Sequence, residues 1–153
     1  MPHRHTFVFM YSIAIGADHA AVTLKQALIA HLEAAGHTVK DFGTHGTASV
    51  DYPDFAHPLC TAVEAGEFKF GILLCGSGLG MSIAANRHAG IRAALVHNTE
   101  LAVLTREHND ANVLCMGARF TAEHHAKMIV DTFLTSTFEG GNHARRIEKL
   151  ACA

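Results

Sequence analysis

Apolar positions along the chain switch repeatedly between two periods. Short β-rich runs at residues 11–16 (YSIAIG), 37–42 (HTVKDF), 91–96 (IRAALV) and 113–116 (VLCM) predict strands. The run 71–75 (GILLC) has no polar position at all, as expected of a parallel strand covered on both faces. Between these runs the period lengthens to that of a helix. Over 20–35, Leu24, Leu28 and Leu32 share one face with Ala27 and Ala35; Asp18 stands where an N-cap belongs and Gly36 where a helix stops. Tyr52-Pro53 opens a second helix to about residue 65, with Pro53 suited to its first turn. Further helices are predicted over 81–86, 98–107 and 121–135, the last capped by Thr121 with Glu123 near it. After a break at 138–142, a terminal helix follows over 144–151.

Strand and helix alternate five times through short loops, which predicts an α/β fold. The expected architecture is a three-layer α/β/α Rossmann-like sandwich around a five-stranded parallel sheet. At 153 residues the chain fits one domain, assigned to 12–153 with its C-terminal helix. Residues 1–11 read as an N-terminal extension ahead of a start at Met10, because MPHRHTFVFMYS lacks a full signal-peptide apolar region and a cleavage site. In such sheets ligands sit beyond the C-terminal strand edge, where strand order reverses. Asp18-His19, the glycine loop after the third strand, and His97-Asn98 all fall there.

A formal charge of −2, with acidic and basic residues interspersed, argues against a nucleic-acid or anionic-membrane binder. Cys60, Cys75, Cys115 and Cys152 are widely spaced with no CxxC, so neither a disulfide framework nor a zinc knuckle is indicated, and the expected compartment is the reducing cytoplasm.

The stretch 70–87, FGILLCGSGLGMSIAANR, carries the strongest chemical signal. Gly76, Gly78 and Gly80 alternate with Ser77 and Leu79, so several backbone amides can point into one concave turn between a strand and a helix N-terminus. A dinucleotide fingerprint is excluded: Met81 occupies its last glycine position, and the next strand ends in Val96-His97 without an acidic residue. A cysteine phosphatase loop is excluded too, since it needs an arginine six positions after Cys75, which is again Met81. What remains beyond a mere tight turn is an amide-lined hole beside a thiol, suited to a developing oxyanion next to a proton-transferring group. A cysteine is more often a small buried hydrophobe, the reading kept for Cys60, Cys115 and Cys152. For Cys75 the adjoining helix N-terminus favours the thiolate a general base requires.

Thirteen histidines suggest metal only weakly, because no HExxH occurs and His124-His125 lie on a helix with a solvated face. The run Arg106-Glu107-His108-Asn109-Asp110 packs more polarity between helix and strand than a turn requires. Arg119, Arg145 and Arg146, with His143, are either a solvated charge run or a bidentate phosphate grip.

Taken together, the motifs Gly16-Ala-Asp-His19, Asp51-Tyr-Pro53, Cys75-Gly-Ser-Gly-Leu-Gly80, Ser82-Ile-Ala-Ala-Asn86, Gly90-Ile-Arg92, His108-Asn-Asp110 and Gly140-Gly-x-His143-x-x-Arg146 resemble those of the sugar-phosphate isomerases. That family includes ribose-5-phosphate isomerase B and the galactose-6-phosphate isomerase subunits, and the resemblance runs from about Ser12 to Leu150. Cys75 places the chain nearest the cysteine-base branch. The resemblance implies that Cys75 moves a proton between C1 and C2 of an open-chain sugar phosphate through a cis-enediolate. The amides of Gly76, Ser77, Gly78, Leu79 and Gly80, with the Ser77 hydroxyl, would hold the enediolate oxygen, and His108 would protonate the ring oxygen to open the furanose. Asp18 and His19 would bind substrate, Asp18 also assisting proton movement between hydroxyls. Tyr52 would wall the pocket, Asn109 would hydrogen-bond the sugar, and Arg119, His143 and Arg146 would hold the phosphate. No metal or organic cofactor is implied, and a homodimer or tetramer with sites shared between subunits is. One departure is Asn142, where the family often has arginine; Arg145 is an extra arginine nearby. Ribose 5-phosphate is the expected substrate, with a six-carbon sugar phosphate (allose 6-phosphate or galactose 6-phosphate) as the alternative and a non-catalytic sugar-phosphate or nucleotide sensor behind it.

Overall fold

The computed structural model describes residues 9–152; residues 1–8 of the expected N-terminal extension lie outside the described residues. Its elements in chain order are β1 (Ser12–Ala17), α1 (Val22–Ala34), β2 (Thr38–Asp41), α2 (Pro53–Glu64), β3 (Phe70–Cys75), α3 (Leu79–Ala85), β4 (Ala93–Leu95), α4 (Thr99–Glu107), β5 (Val113–Gly117), α5 (Glu123–Thr135) and α6 (Asn142–Glu148). The five strands form one parallel sheet in the order β2-β1-β3-β5-β4. The order turns back on itself around β1, β3 and β5, so the tips of these three strands meet at the C-terminal edge. There Cys75 pairs in register with Gly117 and Ala17 with Leu74.

Alternation along the strands divides the core into two layers. Ile13, Ile15, Ile72, Leu74 and Leu114 face the side covered by α1 and α5, where Leu28, Leu32, Ile129 and Phe133 are buried. Ala14, Leu73, Cys75 and Cys115 face the side covered by α2 and α3, against Leu59, Cys60 and Met81. The three-layer sandwich expected from the pattern is the fold observed. Among the described residues, no helix is long and apolar enough to cross a membrane.

Several element ends differ from expectation for local reasons. Helix α1 starts at Val22 because Asp18 folds back on the chain: its Oδ1 accepts the Ala20 amide at 2.9 Å and its carbonyl accepts that of Ala21. Asp18 therefore does not cap the helix. Thr121 is buried, and α5 begins at Glu123 behind Ala122 without a side-chain cap. Strand β4 has only three residues, and Asn86 occupies its open edge, bonding both the amide and the carbonyl of Ala93 at 2.9 Å. Helix α3 starts at Leu79, two residues before the expected point. Helix α6 starts at Asn142, directly after Gly140 and Gly141 turn the chain with positive φ angles, and it buries none of its residues. On α1 the buried face includes Lys25, fully enclosed and held 2.6 Å from Asp41.

Candidate active site

The glycine loop is shaped by close approaches on every side. Gly78 has φ +78°, and a Cβ there would lie 2.5 Å from Leu95 Cδ1 and 2.9 Å from the Met116 carbonyl carbon. A Cβ on Gly117, at the tip of β5, would lie 2.6 Å from the Ser77 carbonyl. On Gly80 it would strike the Tyr52 ring at 2.6 Å, and on Gly76 it would touch the Arg119 guanidinium at 3.2 Å. Backbone bonds from Ala118 to the Cys75 carbonyl and from Arg119 to that of Gly76 tie the loop to the chain leaving β5. Glycine thus lets a turn, a helix start and a neighbouring strand end pack into one place.

Cys75 is buried at the tip of β3, and the Gly78 amide donates to its Sγ at 3.1 Å. The Leu79 amide donates to Ser77 Oγ at 3.2 Å. Cys75 Sγ thus accepts the backbone amide that immediately precedes the N-terminus of α3. The other core thiols are not so placed. Burial, with some help from Glu64, pushes Cys60 up to about 12, while burial together with Cys60 and Cys75 raises Cys115.

Around this loop the structure gathers Asp18, Tyr52 and Arg119, with His19 next to Asp18 in the chain. Asp18 is buried between the tips of β1 and β3, its amide donating to the Leu74 carbonyl. His19 Nδ1 accepts the Val50 amide at 3.1 Å, which leaves Nε2 to donate elsewhere. Asn98, at the same edge, caps α4 through a 2.8 Å bond from the Leu101 amide.

His108, Asn109, His143 and Arg146 form a second cluster, lining a cavity of about 260 Å³ with Ile147 and Leu150. Helix α4 runs from the C-terminal edge of the sheet to its opposite edge, so His108 lies near the start of β5, where Val113 pairs with Gly71. The strand climbs on the order of 13 Å from that level to Gly117 and Cys75. The phosphate trio named by resemblance is split accordingly, with Arg119 in the first cluster and His143 and Arg146 in the second. The His108 and His143 rings stack, with centroids 4.2 Å apart. Glu139 joins them, with Oε2 3.5 Å from His143 Nε2 and 4.0 Å from His108 Nε2. Glu139 and Gly117 escaped the sequence reading. The signal for Glu139 was its position four residues before His143, across a double-glycine turn.

A parallel sheet whose reversal point carries a thiol, a glycine turn and a helix start belongs to the α/β class of proteins that bind their ligands at the C-terminal strand edge. Residues 13–150 match the Ribose/Galactose Isomerase family model, and the chain belongs to that family. It is an aldose–ketose isomerase acting on a sugar phosphate, of the ribose-5-phosphate isomerase B type. Ribose-5-phosphate isomerase B of Escherichia coli K12 is 46% identical over 141 residues, covering 92% of this chain and 95% of that protein. A crystal structure of a ribose 5-phosphate isomerase from Thermotoga maritima superposes with a TM-score of 0.91 at 50% identity, covering 92% of this chain and 97% of the other. D-erythrulose-4-phosphate isomerase of Pectobacterium atrosepticum is 44% identical over 142 residues, covering 92% of this chain and 93% of that protein.

Proposed function

We propose that this chain interconverts D-ribose 5-phosphate and D-ribulose 5-phosphate in the cytoplasm, with Cys75 as the base. The observation that carries the reading is the buried Cys75 Sγ facing the Gly78 amide at the reversal point of the sheet. The thiolate takes the proton from C2 of the open-chain aldose and returns it to C1, while the electron pair moves onto the carbonyl oxygen to give a cis-enediolate. The loop amides and Ser77 stabilise that oxygen. Asp18 passes the proton between the two hydroxyls, and His19, Tyr52 and Asn109 position the sugar. His108 protonates the ring oxygen, and Arg119, His143 and Arg146 hold the phosphate.

Because the two clusters lie at opposite edges of one sheet, this mechanism needs a second copy of the chain to bring His108, Asn109, His143 and Arg146 over the partner's glycine loop. Exposed apolar residues beside that loop support such a homodimer: Leu79 and Ile83, one turn apart on α3, and Phe120, which is 75% exposed. Mixing a Cys75→Ala chain with a His108→Ala chain tests it, since each hybrid dimer would hold one intact site. Recovered activity supports the shared site; no recovery in a mixture shown to contain hybrid dimers sinks it.

The substrate is tested by comparing kcat/KM over four-, five- and six-carbon sugar phosphates in the presence of a chelator. The five-carbon pair is expected to lead. A second reading, in which another sugar phosphate leads, is favoured by Asn142 and by a 44% identical relative named for D-erythrulose 4-phosphate. Cys75→Ala is expected to abolish turnover while leaving fold and substrate binding; undiminished activity would remove the cysteine mechanism.

A further inference from the structure

The His108–Glu139–His143 cluster has a property that proton transfer and phosphate binding do not require. Both imidazole Nε2 atoms face the same carboxylate oxygen, Glu139 Oε2, at 4.0 and 3.5 Å. Those separations are too long for hydrogen bonds, so the three groups converge without satisfying one another. One ligand atom from each lies within 4.8 Å of the others. Metal–ligand bonds of about 2.0–2.1 Å in a tetrahedron imply ligand separations of roughly 3.3 Å, so an ion draws in the two measured pairs by under about 1 Å and also turns the half-exposed rings out of their parallel stack, since imidazole binds a metal in its own plane. The backbone holds the set in place: the Glu139 amide donates to the Glu107 carbonyl at 3.0 Å, and the His143 amide to that of Gly140. All three side chains are reached by solvent, at 40%, 53% and 23% exposure.

We propose that His108, Glu139 and His143 form a binding site for a borderline-soft divalent cation of the Zn²⁺ or Co²⁺ class, and that its occupation switches the isomerase off. Two imidazoles and a carboxylate favour such ions over Mg²⁺ or Ca²⁺, which prefer all-oxygen shells. Three protein ligands leave a fourth position open to the adjoining cavity. The inhibitory arm rests on the roles proposed above for His108 and His143: a bound ion takes the nitrogen lone pairs of both rings and puts a dication where the proton donor and phosphate grip operate. The binding arm stands independently of those roles.

Glu139 is the discriminating residue, because it is a ligand of the proposed site while the proposed reaction gives it no contact with the substrate. Full-length protein freed of metal with a chelator is titrated with Co²⁺ while its ligand-field bands are followed, then with Zn²⁺ in competition; Cys75→Ala protein is run in parallel to exclude thiolate ligation. The expected result is one ion per chain in both proteins, with affinity about 100-fold weaker in Glu139→Gln. Read against each protein's own metal-free rate, Zn²⁺ is expected to inhibit wild type at about 100-fold lower concentration than Glu139→Gln. Absence of binding, or equal affinity in Glu139→Gln, overturns the site. Binding that depends on Glu139 but leaves isomerisation untouched keeps the site, overturns the switch, and also removes His108 and His143 from the catalytic reading.

Discussion

The Gly78 amide donates to Cys75 Sγ across 3.1 Å, and it can do so only because Gly78 sits at φ +78° with no side chain. Gly78→Ala brings a left-handed penalty of about 1–2 kcal/mol. Its Cβ would also press on the Met116 backbone, which cannot rotate away as the Leu95 side chain can. The variant is expected to melt at a lower temperature and to lose about 100-fold or more in kcat, as when an oxyanion donor is displaced. Thermal melts with steady-state kinetics check both.

Gly80→Ala separates pocket shape from backbone strain. Gly80 lies within α3 at an ordinary helical φ, so alanine suits the backbone, yet its Cβ would lie 2.6 Å from Tyr52 Cζ. Tyr52 is 38% exposed and can swing outward. Stability is expected to stay near wild type while KM rises roughly tenfold, equivalent to about 1.4 kcal/mol of lost contact. An unchanged KM would remove Tyr52 from the substrate wall.

Lys25 and Asp41 form an asymmetric pair, the lysine fully enclosed and the carboxylate partly open to water. Asp41→Ala leaves a buried ammonium without its partner and is expected to cost about 3–5 kcal/mol in urea unfolding. Lys25→Met is expected to cost far less, since Asp41 keeps the Gly43 amide at 2.8 Å. Burial pushes the Asp41 carboxyl up, but the Lys25 hydrogen bond and the Gly43 amide outweigh it and hold the group below its ordinary value of 3.8. A lowered folded-state value stabilises the fold above 3.8, and that stability is lost as pH falls through the lowered value. The acid limb of a stability-against-pH curve is therefore expected to be shallower in Lys25→Met than in wild type.

Asn142 is exposed at the start of α6, and Arg146, not Arg145, lines the cavity with His108 and His143. Asn142→Arg is expected to lower KM by up to about fivefold, the worth of about 1 kcal/mol from an exposed ion pair. An unchanged KM would indicate that the phosphate already has its full complement of cations.

The layers of this fold were legible because each strand and helix buries one periodic face, and periodicity is a local property of the chain. The local geometry of residues 75–80 was legible for the same reason: a strand, a glycine turn and a helix start are contiguous, so sequence spacing is nearly spatial spacing. Chemical type at those positions was enough to exclude a dinucleotide fingerprint and a phosphatase loop. Boundaries were less legible wherever a side chain bonded its own backbone, as Asp18 does, or where an edge strand was covered from elsewhere, as β4 is by Asn86. The burial of Lys25 has no local signal, because its partner, Asp41, comes from the neighbouring strand β2.

What only the tertiary structure decided is which site residues lie apart from the C-terminal edge of the sheet and what they meet there. The order β2-β1-β3-β5-β4 puts the tips of β1, β3 and β5 side by side, and with them Asp18, Cys75 and Gly117. The same order sends α4 to the opposite edge and carries His108 away from Cys75, where it meets Glu139 and His143. The alternation of strands and helices placed Asp18 and the glycine loop at one edge, but the partners of His108 depend on how α4 and the segment before α6 pack, which sequence order does not carry. The sequence by itself determined the thiol, the amide loop and the layered fold; the pairing of strands decided that these residues form two clusters rather than one.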